Sequence, residues 1–160
     1  MPMRRRRLAW KLVLAMAFVT AAVHGPASLV AESQIWFPRG VVRADELELL
    51  ARVVAAEAQG EPYAGQVAVA AVILNRVNSP QFPNSISGVV YQPLAFESVS
   101  NGLIWRRQPG PEAYNAARDA LNGWDPTYGA LFFWNPSKRV SPWIWTRRVI
   151  VQIGNHVFGI

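Results

Sequence analysis

From Val67 to Leu74 the chain reads VAVAAVIL, so a helix through it is apolar on almost every side. A helix without a polar face has to be surrounded by other elements, which predicts a central helix over about 63–77. Asn75 and Arg76 close it with polar groups, and Pro80 stops continuation. Another helix, over about 45–58, precedes it across Gly60-Glu61-Pro62. Asp45 and Glu48 have capping-box spacing, with Asp45 as N-cap. Leu47, Leu50, Val54 and Glu57 then fall on one helical face. The residue that continues this apolar stripe is a carboxylate. Glu61 would share the face if the helix reached it, but Gly60 and Pro62 argue that the helix has ended.

A carboxylate in that place has two readings. Glu57 can reach solvent at a frayed last turn, or pair with an arginine such as Arg76. Alternatively it faces a cleft at the edge of the core, where desolvation favours the protonated form that a general acid needs. Periodicity alone does not choose between them.

The first 31 residues have an export layout. Four arginines and Lys11 form a basic region, Leu12 to Val23 is a short apolar run, and Gly25, Ala27, Ser28 and Ala31 are small. The run is short for a membrane span, which needs about 20 residues. Cleavage after Ala27 or Ala31 is expected, with an uncleaved anchor as the alternative. This segment holds five of the 16 Lys and Arg and none of the 10 Asp and Glu, leaving 11 against 10. The formal net charge of +6 is therefore no argument for nucleic acid. With no cysteine and only His24 and His156, neither disulfides nor a zinc site can be assembled. Residues 32–44 read as a leader without periodicity.

Beyond the central helix lies a proline-rich loop with a short helix expected near 85–91. Pro111 opens an amphipathic helix with Tyr114, Ala117 and Leu121 as its stripe, closed by Gly123. Ala130–Trp134 is the strongest strand signal, and Val149–Ile153, Gly154-Asn155 and His156–Phe158 read as a hairpin. His156 fits a structural hydrogen-bonding role better than that of a general base.

The segment EAQGEPYAGQVAVAAVILNRV closely resembles the start of the catalytic domain of the spore cortex-lytic enzyme family (SleB/CwlJ-type cell-wall hydrolases). FFWNPSKRVSPWIWTRRVIVQIGNHVF resembles that family's C-terminal signature. The resemblance covers roughly Leu47 to Phe158. It implies an α+β, mainly helical, lysozyme-like (lytic-transglycosylase-like) single domain over 45–160, with a small C-terminal β-hairpin or sheet. It also implies cleavage of peptidoglycan glycan strands in the spore cortex during germination, by an exported monomer that needs no cofactor. By position the family's catalytic Glu falls on Glu57.

Aromatic faces cover the apolar face of a pyranose, and amides bond its hydroxyl and N-acetyl groups. Gln92 and Phe96, on the segment that lines the substrate side in the family, are candidate glycan-binding residues. Trp134, Asn135, Trp143 and Trp145 join them within the C-terminal signature, and Glu61 is expected to orient loop or substrate groups. Breaking a glycosidic bond needs a proton on the leaving oxygen and stabilisation of an oxocarbenium-like centre. No second catalytic carboxylate stands out, which fits lytic transglycosylation: the muramic acid C6 hydroxyl attacks C1 while Glu57 acts as acid, then base. A hydrolytic muramidase using Glu97 or Asp125, and a wall-binding protein without catalysis, remain the alternatives. They differ in the surroundings of Glu57: deep in a groove for an enzyme, solvated or paired with arginine for a binder.

Overall fold

The computed structural model describes residues 43–160. The segment expected to direct export and nearly all of the expected leader lie outside those residues. The order is α1 (Ala44–Glu57), α2 (Tyr63–Val77), α3 (Ile86–Val90), α4 (Glu97–Ser100), α5 (Leu103–Arg106), α6 (Pro111–Leu121) and β1 (Phe132–Trp134). A 3-10 turn (Pro142–Thr146), β2 (Val149–Ile153) and β3 (His156–Gly159) complete it. No helix among the described residues is long and apolar enough to cross a membrane.

The all-apolar helix is central, as its sequence requires. Every residue from Val67 to Ile73 is buried in α2. One side packs with Leu50, Val53 and Val54 of α1, Val89 and Val90 of α3, and α6. The other side offers Ala68 and Val72 to Ala130 and Phe158, so the sheet closes against it. Each large apolar side chain buried this way contributes roughly 1.5–3 kcal/mol.

α6 meets its neighbours through Ala113, Ala116, Ala117 and Ala120, where the sequence pointed to Tyr114, Ala117 and Leu121. Small side chains let the helices approach closely, and Tyr114 at the edge donates its hydroxyl to Glu48 instead. The expected capping box is also absent. α1 starts one residue earlier with Arg43 as N-cap, and Arg43 takes the Asp45 carboxylate in a two-pronged bond at 3.1 and 2.9 Å. Glu48 faces Arg52 at 2.7 Å. Nearby cations and a phenol outcompeted the backbone for both carboxylates.

The hairpin forms as expected, with β1 added to it antiparallel, giving the strand order β1-β3-β2. Phe133 faces Phe158 and Trp134 faces Val157 on one side of β3, and Ile153 faces His156 on the other. As the middle strand, β3 is buried throughout. Alternation sends Phe158 toward α2, while Val157 joins Trp134 and Ile144 on the opposite face.

Candidate active site

α1 ends at Glu57 because the chain turns there: Ala58 N–H still bonds Val54 O, and Gly60 adopts φ +79°. A helix end leaves carbonyls without partners, and Arg107 donates to Ala55 O at 3.2 Å. Glu57 is half-buried. Its Oε1 accepts the backbone N–H of Ser98 at 3.0 Å, in the first turn of α4. Oε2 has no partner among the described residues, and no ion pair is made. Arg76 bonds the Leu131 carbonyl at 2.7 Å instead.

The Glu57 carboxyl opens on a cleft of about 180 Å3, also lined by Arg76, Phe96, Glu97, Trp134, Asn135, Lys138 and His156. A larger depression of about 590 Å3 lies beside the end of α2. Its lining has no acidic side chain and no histidine, so volume is no guide to chemistry here. A carboxyl with one oxygen fixed by a backbone donor, on a residue that lines a cleft, is an arrangement able to give and take a proton.

The other residues singled out in the sequence divide. Phe96, Trp134 and Asn135 line the Glu57 cleft. Trp134 is only 4% exposed, so it forms an inner wall. Trp143 and Trp145, 50% and 56% exposed, carry the open ring faces. Trp145 stands edge-on to Trp134 at 6.0 Å, which places it beside the cleft. Trp143 stands edge-on to Phe132 at 5.4 Å. Gln92 is half-buried, its carbonyl holding Ala95 N–H in the turn before Phe96, and is not among the cleft's lining residues.

Glu61 lies outside that lining as well. Its side chain is 6% exposed. It accepts Asn155 N–H at 2.8 Å and Asn155 Nδ2 at 3.1 Å, tying the hairpin turn to the loop after α1. Gly154 (φ +58°) permits the approach, since a Cβ there would stand 2.1 Å from Glu61 Oε2. His156 Nδ1 lies 3.7 Å from Glu61 Oε1. Burial lowers the His156 pKa, against the opposing pull of Glu61 and Glu57. His156 therefore joins the two carboxylate regions.

Of the suggested second carboxylates, Glu97 shares the cleft and Asp125 does not. Burial alone would raise the Asp125 pKa, but bonds from Thr127, Asn75 and Gly129 outweigh it and hold the pKa low. Its oxygens serve the turn that leads into β1. Sequence reasoning missed Ser98 and Arg107. Ser98 acts through its backbone N–H, which every non-proline residue has, so no side-chain signal marks it.

The cell wall hydrolase family matches residues 60–159. The chain belongs to that family. It is 55% identical over 114 residues to the spore cortex-lytic enzyme of Bacillus subtilis, covering 71% of this chain and 37% of that protein. It thus spans well under half the length of this relative. The catalytic domain of the Bacillus cereus SleB protein matches with a TM-score of 0.70 at 50% identity, covering 76% of this chain and 94% of that one. The catalytic domain of the germination-specific lytic transglycosylase SleB from Bacillus anthracis gives 0.71 at 49%, covering 78% and 100%. The mainly helical fold with a small sheet is the fold of these domains. Glu57 lies three residues before the family match begins.

Proposed function

We propose that the chain cleaves peptidoglycan glycan strands by lytic transglycosylation, in spore cortex during germination, with Glu57 as general acid and then base. The observation that carries this is a carboxyl with one oxygen held by Ser98 N–H and the other without a partner among the described residues, on a residue that lines a cleft. The similarity to a germination-specific lytic transglycosylase domain supports the reaction type. Glu57 protonates the leaving glycosidic oxygen, and the resulting carboxylate accepts the proton of the C6 hydroxyl as it attacks C1. No water is consumed. Residues 45–160 form the catalytic domain, and residues 1–31 direct export to the wall or cortex, followed by the 32–44 leader. The exported chain acts as a monomer.

Glu97 in the same cleft favours one rival, a hydrolytic muramidase in which Glu97 directs a water molecule. Mass spectrometry of digested sacculi separates the two. Transglycosylation yields 1,6-anhydro-muropeptides, lighter by one water than the reducing ends that hydrolysis makes. Reducing ends alone would replace the transglycosylase reading with the hydrolytic one, and undigested sacculi would remove both.

A further inference from the structure

Arg76 belongs to the cleft, and the Glu57 chemistry leaves it without a task. It is 7% exposed near the end of α2. Its Nε donates to Leu131 O, and no carboxylate among the described residues forms an ion pair with it. Phe82, Phe96 and Phe132 place their rings 5.3, 5.3 and 5.6 Å from its Cζ. Such faces attract a cation, which helps a guanidinium persist there. Burial pushes its pKa down to about 10, so it remains a cation at neutral pH.

An arginine offers five N–H donors in a planar fork that matches a carboxylate. Here the donors on the two terminal nitrogens have no protein partner among the described residues, and neither nitrogen is both sealed and unpartnered. The side chain lines the cleft that Glu57 lines. Lys138 and Arg139 add two further cations to the lining, against Glu57 and Glu97. A buried cation with unused donors is costly until an anion completes it.

We propose that Arg76 is the receptor for a carboxylate on the ligand, and so decides which sugar of the alternating strand occupies its side of the cleft. This rests on the glycan-strand reading. Muramic acid brings a carboxylate on its lactyl arm or on the peptide attached there, whereas N-acetylglucosamine brings none. Seating the acidic sugar beside Arg76 fixes the register of the strand, and with it the glycosidic bond presented to Glu57.

The test is equilibrium titration of the native protein with three N-acetylglucosaminyl-N-acetylmuramic acid disaccharides: the free acid, its lactyl methylamide and the peptide-bearing form. The free acid is expected to bind about tenfold to a hundredfold more tightly than the methylamide, as hydrogen bonds to charged groups allow. Arg76→Met should erase that ratio, and Arg76→Lys should keep part of it. The peptide-bearing form identifies the source: if it, rather than the free acid, holds the advantage over the methylamide, the site belongs to peptide carboxylates, and if it binds like the methylamide, to the lactyl acid. A native protein in which neither the free acid nor the peptide-bearing form outbinds the methylamide overturns the inference without needing a variant. Digestion of sacculi by the same preparation decides the glycan reading separately.

Discussion

Glu57 and Glu61 are the same residue type four positions apart, yet the fold treats them in opposite ways. Glu61 is buried against Gly154 and Pro62, and Asn155 gives it two hydrogen bonds. Among the described residues Glu57 receives one, from Ser98, and it lines the cleft. A carboxylate supplied with donors by its own protein becomes a fixed acceptor. One left incompletely supplied can serve a ligand. The divergence begins at Gly60, whose positive φ turns the chain so that the two side chains no longer share a helical face.

The largest expected effect breaks the chemical side of this contrast. Glu57→Gln keeps the size and can still accept the Ser98 N–H, but has no proton to deliver. Strand cleavage should fall at least about a hundredfold, the lower end for loss of general acid catalysis, while peptidoglycan binding and thermal midpoint stay near the parent values. Release of anhydro-muropeptides at the parent rate would defeat the assignment and direct attention to Glu97.

The structural side should break in stability. Gly154→Ala forces a Cβ to within 2.1 Å of Glu61 Oε2 and 2.6 Å of Pro62 Cδ, at a positive φ. A cost of about 1–3 kcal/mol or more is expected from backbone strain and overlap together. Glu61→Ala leaves the Asn155 donors unmet and should cost about 1–3 kcal/mol, with Glu61→Gln milder in both stability and cleavage. Urea unfolding measures each. Parent-like stability in both Gly154→Ala and Glu61→Ala would show that the clasp holds nothing.

The smallest effect concerns His156, which touches both regions. Its folded pKa lies below the ordinary histidine value of 6.5, so the unfolded chain binds more protons in that range. The resulting stability is present above pH 6.5 and is lost as pH falls toward the folded value. Thermal midpoints between pH 7.5 and 5 should therefore drop more in the native protein than in His156→Asn. Equal slopes would mean that His156 contributes nothing to the acid sensitivity.

Local patterns made most of the elements legible. α2 was readable because an all-apolar helix has one possible environment, and the 149–159 hairpin because Gly154-Asn155 marks its turn. α4 and α5 were not, since helices of four residues carry no periodicity. At the site, Glu57 was visible as a carboxylate interrupting an apolar stripe. Phe96, Trp134 and Asn135 were visible through aromatic and amide composition, which does not say which ring is inner wall and which is open face.

Neighbours within a few positions were enough to fix the central helix, the end of the first helix before Glu61 and the strands that could form. What each polar group meets was settled by long-range packing. Ser98 reaches Glu57 across 41 positions, Asn155 reaches Glu61 across 94, and Arg76 bonds Leu131 across 55. A carboxylate or guanidinium carries the same charge wherever the chain leaves it. Its task is set by the donors, rings and open space that folding brings to it.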